Sequence, residues 1–236
     1  MRTPQVSVDV RAWDRYPLRV AGVLEVADER GCGVRVLVGC ERSGVVRRAF
    51  EKLGCYACSC DLEPADDDGN HFQRDLLGLL TDTEGCWDLV IAHPPYTYLA
   101  RSGLHWNRRV PGRASLTKDA LRFVRSILEC GVPRICVENP PGRIGTAIRP
   151  ANQYIQPYEF GHDAAKKTGL WLVGLPLLVP TGPRIAGRMV GRRERWSNQT
   201  DSGQDRIGPS ADRANERSRT YDGIAKAMAM QWGRLI

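Results

Sequence analysis

The chain has 236 residues, enough for one α/β domain with a sizeable core. Its 42% hydrophobic and 26% charged residues place it among ordinary globular proteins and exclude a low-complexity chain. The formal charge of +7 suits a polyanionic partner.

The first residues, MRTPQVSVDVRAWDRYP, alternate polar and apolar side chains and lack the apolar core of a signal peptide. No apolar run approaches a membrane span, so a cytoplasmic location is expected. Eight cysteines in such a compartment read as thiols rather than disulfides. Cys55, Cys58 and Cys60 form a C-x-x-C-x-C cluster. No second pair completes a zinc site, so no metal is expected.

Residues 1–33 carry mixed charge with weak periodicity and are expected to be an N-terminal extension. The domain proper is expected over 34–236. Val34–Val38 (VRVLV) is the nearly continuous apolar run of a central parallel strand. Gly44–Leu53 has helical spacing and ends at Gly54, and Cys55–Cys60 is a second strand ending at Asp61. A strand, a glycine loop, a helix and a strand tipped by an acid are how a Rossmann-type sheet begins.

Strands follow at Trp87–Ala92 and Pro133–Glu138, each stopped by a proline pair. Between them Ser115–Cys130 reads as an amphipathic helix with Ser115 as its N-cap. Gly169–Val173 is a late strand and Thr220–Trp232 a closing helix. Residues 100–118, rich in Arg and without an acid, and residues 182–219, rich in Arg, Gly, Ser and Asn, are expected to be basic loops. The second is long enough for partial disorder.

The loop Gly39-Cys40-Glu41-Arg42-Ser43-Gly44 lacks the Lys-Ser/Thr of a triphosphate loop and the G-x-G-x-x-G of a dinucleotide site. Its glycines allow a ligand close to the backbone. Asp61 stands where a carboxylate accepts both hydroxyls of a ribose, with Glu63 as its substitute. Asp75 is placed to accept from an adenine amino group. His93-Pro94-Pro95-Tyr96 ends one strand and Glu138-Asn139-Pro140-Pro141 the next. Two stiff turns are therefore expected to flank one pocket.

The segments VLVGCERSGVVRRAFEKLG, WDLVIAHPPYTYL, VENPPGRIG, IQPYEFGHDAAKKTGLWLVGLPLL and SRTYDGIAKAMAMQWG resemble the small phage-type DNA cytosine methyltransferases, relatives of the C5-cytosine enzymes. The resemblance implies a Rossmann-like methyltransferase fold with a mostly parallel sheet, S-adenosylmethionine as cofactor and DNA as partner. It implies a methionine and ribose site at Gly39, Cys40, Glu41 and Gly44, a ribose acceptor at Asp61 followed by Leu62, and an adenine acceptor at Asp75. Pro94 and Pro95 would shape the catalytic loop, and Glu138 and Asn139 would read cytosine.

In the C5 enzymes a cysteine follows the proline pair and adds to the base. Here that residue is Tyr96, and a phenol is a far poorer nucleophile. His93-Pro94-Pro95-Tyr96 is also similar to the Asp/Asn/Ser-Pro-Pro-Tyr/Phe motif of amino methyltransferases. There a first-position acceptor and a proline carbonyl hold the exocyclic amine while the ring stacks on the base. Methylation of cytosine at N4 is therefore favoured over C5. An inactive DNA- or cofactor-binding relative and an RNA-modifying enzyme are the alternatives. Arg101, Arg108, Arg109, Arg113 and Lys118 are expected to meet phosphates, with Trp106 and Leu104 available to fill the gap left by an extruded base. Arg192 and Arg193 stand where larger relatives carry a target-recognition domain. Lys166 and Lys167 lie either on DNA or on a surface strand edge, and a monomer is expected.

Overall fold

The structure, a computed structural model, describes residues 33–208 and 217–235. The expected N-terminal extension therefore lies, apart from Gly33, outside the described residues, as do residues 209–216 of the second basic segment. No described helix is long and apolar enough to cross a membrane.

In chain order the elements are β1 (Arg35–Gly39), α1 (Val45–Glu51), β2 (Tyr56–Asp61), β3 (His71–Gln73), α2 (Leu76–Asp82), β4 (Leu89–Ala92), α3 (Arg113–Leu128), β5 (Arg134–Asn139), α4 (Arg143–Ala147), β6 (Gln153–Ile155), β7 (Thr168–Val173), β8 (Arg188–Val190), β9 (Arg193–Arg195) and α5 (Asp222–Trp232). Seven strands form one sheet in the order β3-β2-β1-β4-β5-β7-β6. The first five run parallel, and β7 is antiparallel to both of its neighbours. This is the mostly parallel α/β sheet that the sequence implies.

The alternation of side chains along each strand divides the core between the two faces of the sheet. Val36, Val38 and Ile91 pack with Val46 and Phe50 of α1 and with Ile224, Met228 and Trp232 of α5. Leu37, Val90 and Val137 pack with Leu76 and Leu79 of α2, with Val124 and Ile127 of α3, and with Trp171. The same alternation puts Cys55 on the first face and Cys58 and Cys60 on the second, so the three sulfurs do not converge.

Both expected loops prove to be largely structured. Residues 100–118 hold a 3-10 helix over Arg101–Arg108 and the first turns of α3. That helix starts from Gly112 (φ 78°), so Ser115 lies inside its first turn and is not its N-cap. Composition misleads here because the order comes from outside contacts. Thr117 donates to the Tyr98 carbonyl (3.1 Å), and Asn107 Nδ2 donates to the Thr117 hydroxyl (3.0 Å).

In the second segment β8 and β9 form a hairpin turning at Gly191 (φ 60°). It is held by Trp196, buried in a parallel stack on Tyr158 with ring centroids 4.1 Å apart. The Arg184 guanidinium covers both rings and pairs with Glu194.

Candidate active site

The strand order reverses between β1 and β4, and ligands of open α/β sheets bind beyond the strand ends at such a point. Gly39 is in register with Cys60 and Ala92, and Ala92 with Val137. One residue further on, Cys40, Asp61, His93 and Glu138 therefore make a row along the carboxyl edge. The His93 amide donates to the Gly39 carbonyl (2.9 Å) and the Glu41 amide to the Cys60 carbonyl (3.2 Å), which extends the pairing into the turns.

The glycine loop is not the open cradle its glycines suggest. A Cβ on Gly39 would run into the Leu76 side chain, so this glycine makes room for packing rather than for a ligand. Gly44 (φ 64°) starts α1 in the left-handed region, and the space at its Cα is bounded by Arg47, Arg48 and Asp67. Glu41, 5% exposed, folds back over the start of α1 and accepts from the amides of Val46 (2.7 Å) and Arg47 (3.2 Å). Burial raises its pKa, against the pull of His93 and of those amides. A carboxylate thus occupies the helix N-terminus where a phosphate would otherwise bind. Cys40 carries the single positive φ (56°) of a non-glycine among the described residues, a strained conformation at the ligand edge.

At the end of β2, half-buried Asp61 spends one oxygen on the Glu63 amide (3.0 Å), and Leu62 is 70% exposed. Asp75 is the N-cap of α2, accepting from the Gly78 amide (2.7 Å). A capping role accounts for Asp75 without any ligand.

The two proline turns are joined. The Asn139 amide Nδ2 donates to the Pro94 carbonyl (2.7 Å), the Arg101 amide to the Pro141 carbonyl (3.1 Å) and the Arg143 amide to the Leu99 carbonyl (2.8 Å). Ala100 and Gly142 form an antiparallel bridge, and Gly142 has to be glycine because a Cβ there would enter the Leu99 carbonyl. The Pro94 oxygen expected to meet a substrate amine therefore already accepts one bond and keeps one lone pair. Pro95 is exposed and Tyr96 half-buried, at the start of a 3-10 turn over Tyr96–Tyr98.

Behind these turns lies a buried charged chain. His93 Nδ1 stands 3.2 Å from Glu138 Oε2. Burial alone would lower the His93 pKa, but Glu138 and then Glu41 outweigh it and leave it raised. Burial would raise that of Glu138, but His93, Lys166 and the Thr220 hydroxyl hold it below the usual range. Lys166 is half-buried. It turns inward, donating to the Arg219 carbonyl (2.9 Å), and burial lowers its pKa against the attraction of Glu138. Thr220 and Lys166 were not expected as parts of the site. The SRTYDGIA segment that holds Thr220 did stand out in the sequence.

Among the described residues, His93 Nε2 and Asn139 Oδ1 are buried without a hydrogen-bond partner, and Glu138 Oε2 has only the 3.2 Å approach of His93 Nδ1. The other buried orphan atoms are nitrogens of Arg35, Arg47 and Arg113, whose guanidinium groups are bonded elsewhere. Each orphan costs the fold about 1–3 kcal/mol. Their concentration on two adjacent strand ends marks a place built for a ligand.

The cations divide. Arg35, Arg42, Arg47, Arg48, Arg74 and Arg122 each pair with an acid. Arg101, Arg108, Arg109 and Lys118 are exposed and have no ion pair among the described residues, and the same holds for Arg192 and Arg193 at the β8–β9 turn. Arg113 corrects the expectation of a phosphate contact. It lies over the Tyr98 ring (4.9 Å) and donates to the Thr97 carbonyl (2.8 Å), bracing the Tyr96–Tyr98 turn from α3. No protein-family model matches the chain, and no curated protein matches it.

Proposed function

We propose that this chain is an S-adenosylmethionine-dependent DNA methyltransferase acting on the exocyclic amine of cytosine. The observation that carries the reading is the orphaned His93 Nε2, backed by Glu138 and Glu41 and set between two joined proline turns.

Glu138 is held as a carboxylate, so it accepts hydrogens. Asn139 Oδ1 is an acceptor too, its orientation fixed by the bond from Nδ2 to Pro94. The exocyclic amine of cytosine brings two N–H hydrogens to such acceptors. With Nδ1–H directed at Glu138, neutral His93 presents the Nε2 lone pair. The carboxylates that raise its pKa make it a stronger base for the proton that a methylated amine sheds. Tyr96 supplies a ring for the base to stack on, and the braced turn fixes its position.

The residues at the β1 and β2 ends fit the cofactor. The second carboxylate oxygen of Asp61, which the Glu63 amide does not use, suits ribose hydroxyls and the exposed Leu62 suits a flat adenine. Glu41 favours a cationic ligand and disfavours a phosphate. When bound, S-adenosylmethionine supplies an electrophilic methyl group.

The thiols argue against C5 chemistry. Burial, with Asp61 and neighbouring thiols behind it, raises the Cys40 pKa far above the ordinary range. Burial also pushes those of Cys58 and Cys60 up to about 12. A nucleophilic thiolate needs the opposite shift.

Incubation with DNA and methyl-labelled cofactor, followed by mass spectrometry of the nucleosides, tests the reading. N4-methylcytosine is expected. 5-Methylcytosine, or no label in DNA, refutes it.

A further inference from the structure

The 3-10 helix Arg101–Arg108 leaves the catalytic turn directly and continues the Ala100–Gly142 bridge. On it Trp106 is 44% exposed, unusually open for an indole, and exposed Val110 follows one turn later. The ring is not bare. The His105 ring tilts against it with centroids 4.9 Å apart, and the Arg109 guanidinium stands 5.8 Å from its centroid. Arg101 and Arg108 lie on the same 3-10 helix, Arg109 caps it and Lys118 follows in the next helix, and among the described residues none of the four has an ion pair. The nearest acid in sequence, Asp119, is paired with Arg122.

An exposed apolar face inside an unneutralised cationic patch repels protein surfaces rich in Lys and Arg and attracts a polyanion with flat apolar faces. A duplex offers the phosphates but hides its base faces in the stack. An unpaired strand offers both, and aromatic platforms within basic grooves are how such strands are held.

We infer that Trp106, with Arg108 and Arg109, is a stacking clamp for an unpaired DNA strand next to the target cytosine. The inference rests on the proposed DNA substrate and specifies the form in which that substrate is bound. It also replaces the simpler expectation of a wedge made by Trp106 and Leu104 together, because Leu104 is half-buried and only the indole is presented.

The test is binding, read without catalysis. Fluorescein-labelled single-stranded DNA, its duplex and the RNA of the same sequence are titrated by anisotropy into the full-length chain. The wild type is compared with Trp106→Ala, Trp106→Phe and an Arg108→Ala/Arg109→Ala double variant, with thermal melts as the control for folding.

Trp106→Ala is expected to weaken single-strand binding about tenfold or more while changing duplex binding less than about twofold. Trp106→Phe is expected to restore most of the loss. The slope of log affinity against log salt is expected to be unchanged in Trp106→Ala and shallower by about 1.4 in the double arginine variant. Equal losses on duplex and single strand, or no loss in a folded Trp106→Ala, overturn the clamp. Tighter binding of RNA than of DNA overturns the choice of strand. A Trp106-dependent preference for single strands in a protein that transfers no methyl group leaves the clamp standing and removes only the methylation reading. Methyl transfer with a neutral Trp106→Ala does the reverse.

Discussion

Replacing Gly142 by Ala probes whether the two proline turns act as one unit. A Cβ at this position would lie 2.9 Å from Ala100 Cα and closer still to the Leu99 carbonyl oxygen. Both are backbone atoms and cannot swing aside as a flexible side chain would. The strands of the bridge must part, which removes the Arg143–Leu99 bond (2.8 Å) and the Arg101–Pro141 bond (3.1 Å). Each such bond contributes about 0.5–1.5 kcal/mol net, and forcing a methyl group into a filled site costs about 1–3 kcal/mol. Gly142→Ala is therefore expected to destabilise the protein by roughly 2–6 kcal/mol in urea unfolding followed by circular dichroism. If the turns part without global unfolding, hydrogen exchange at the Arg101 and Arg143 amides accelerates instead. Methyl transfer then falls about 100-fold, since an ångström of misplacement is enough for that. A variant with stability within about 0.5 kcal/mol of wild type and both amides still protected refutes the reasoning.

Three further outcomes follow from the site. His93 acts as a base only when neutral, and its pKa is raised above the ordinary 6.5. Methyl transfer should therefore climb as pH rises through a midpoint above that value. In Glu138→Gln the lowering effect of burial prevails and the midpoint of any residual activity moves down, while a flat profile from pH 6 to 9 in the wild type excludes His93 as the base. Tyr96→Phe should keep methyl transfer within a few fold and Tyr96→Ala should lose most of it, because stacking needs the ring and not the hydroxyl; equal losses in steady-state rates would assign the hydroxyl a role. Asp61→Ala should weaken S-adenosylmethionine binding about tenfold or more by calorimetry and leave DNA binding within twofold, an unchanged cofactor affinity removing Asp61 from the site.

Much of this was written locally in the chain. The apolar runs at Val34–Val38 and Trp87–Ala92 gave two central strands, and an acid after β2 and two proline pairs after β4 and β5 marked the ligand edge. Periodicity reports such things because burial of a strand or helix face repeats every two or about 3.6 residues. The strands of only three residues, β3, β6, β8 and β9, are too short to show a period and went unseen.

The sequence by itself determined the sheet's parallel heart, the acid at the tip of β2 and the stretch of cations without an acid. Tertiary structure alone decided which cations remain free and which turn inward, as Arg113 does onto Tyr98 and Lys166 onto the carbonyl of Arg219, 53 residues away. It also decided that Asn139 ties itself to Pro94 across 45 residues. A hydrogen bond or ion pair depends on where two distant backbones pass each other, and no local pattern of residue types records that meeting.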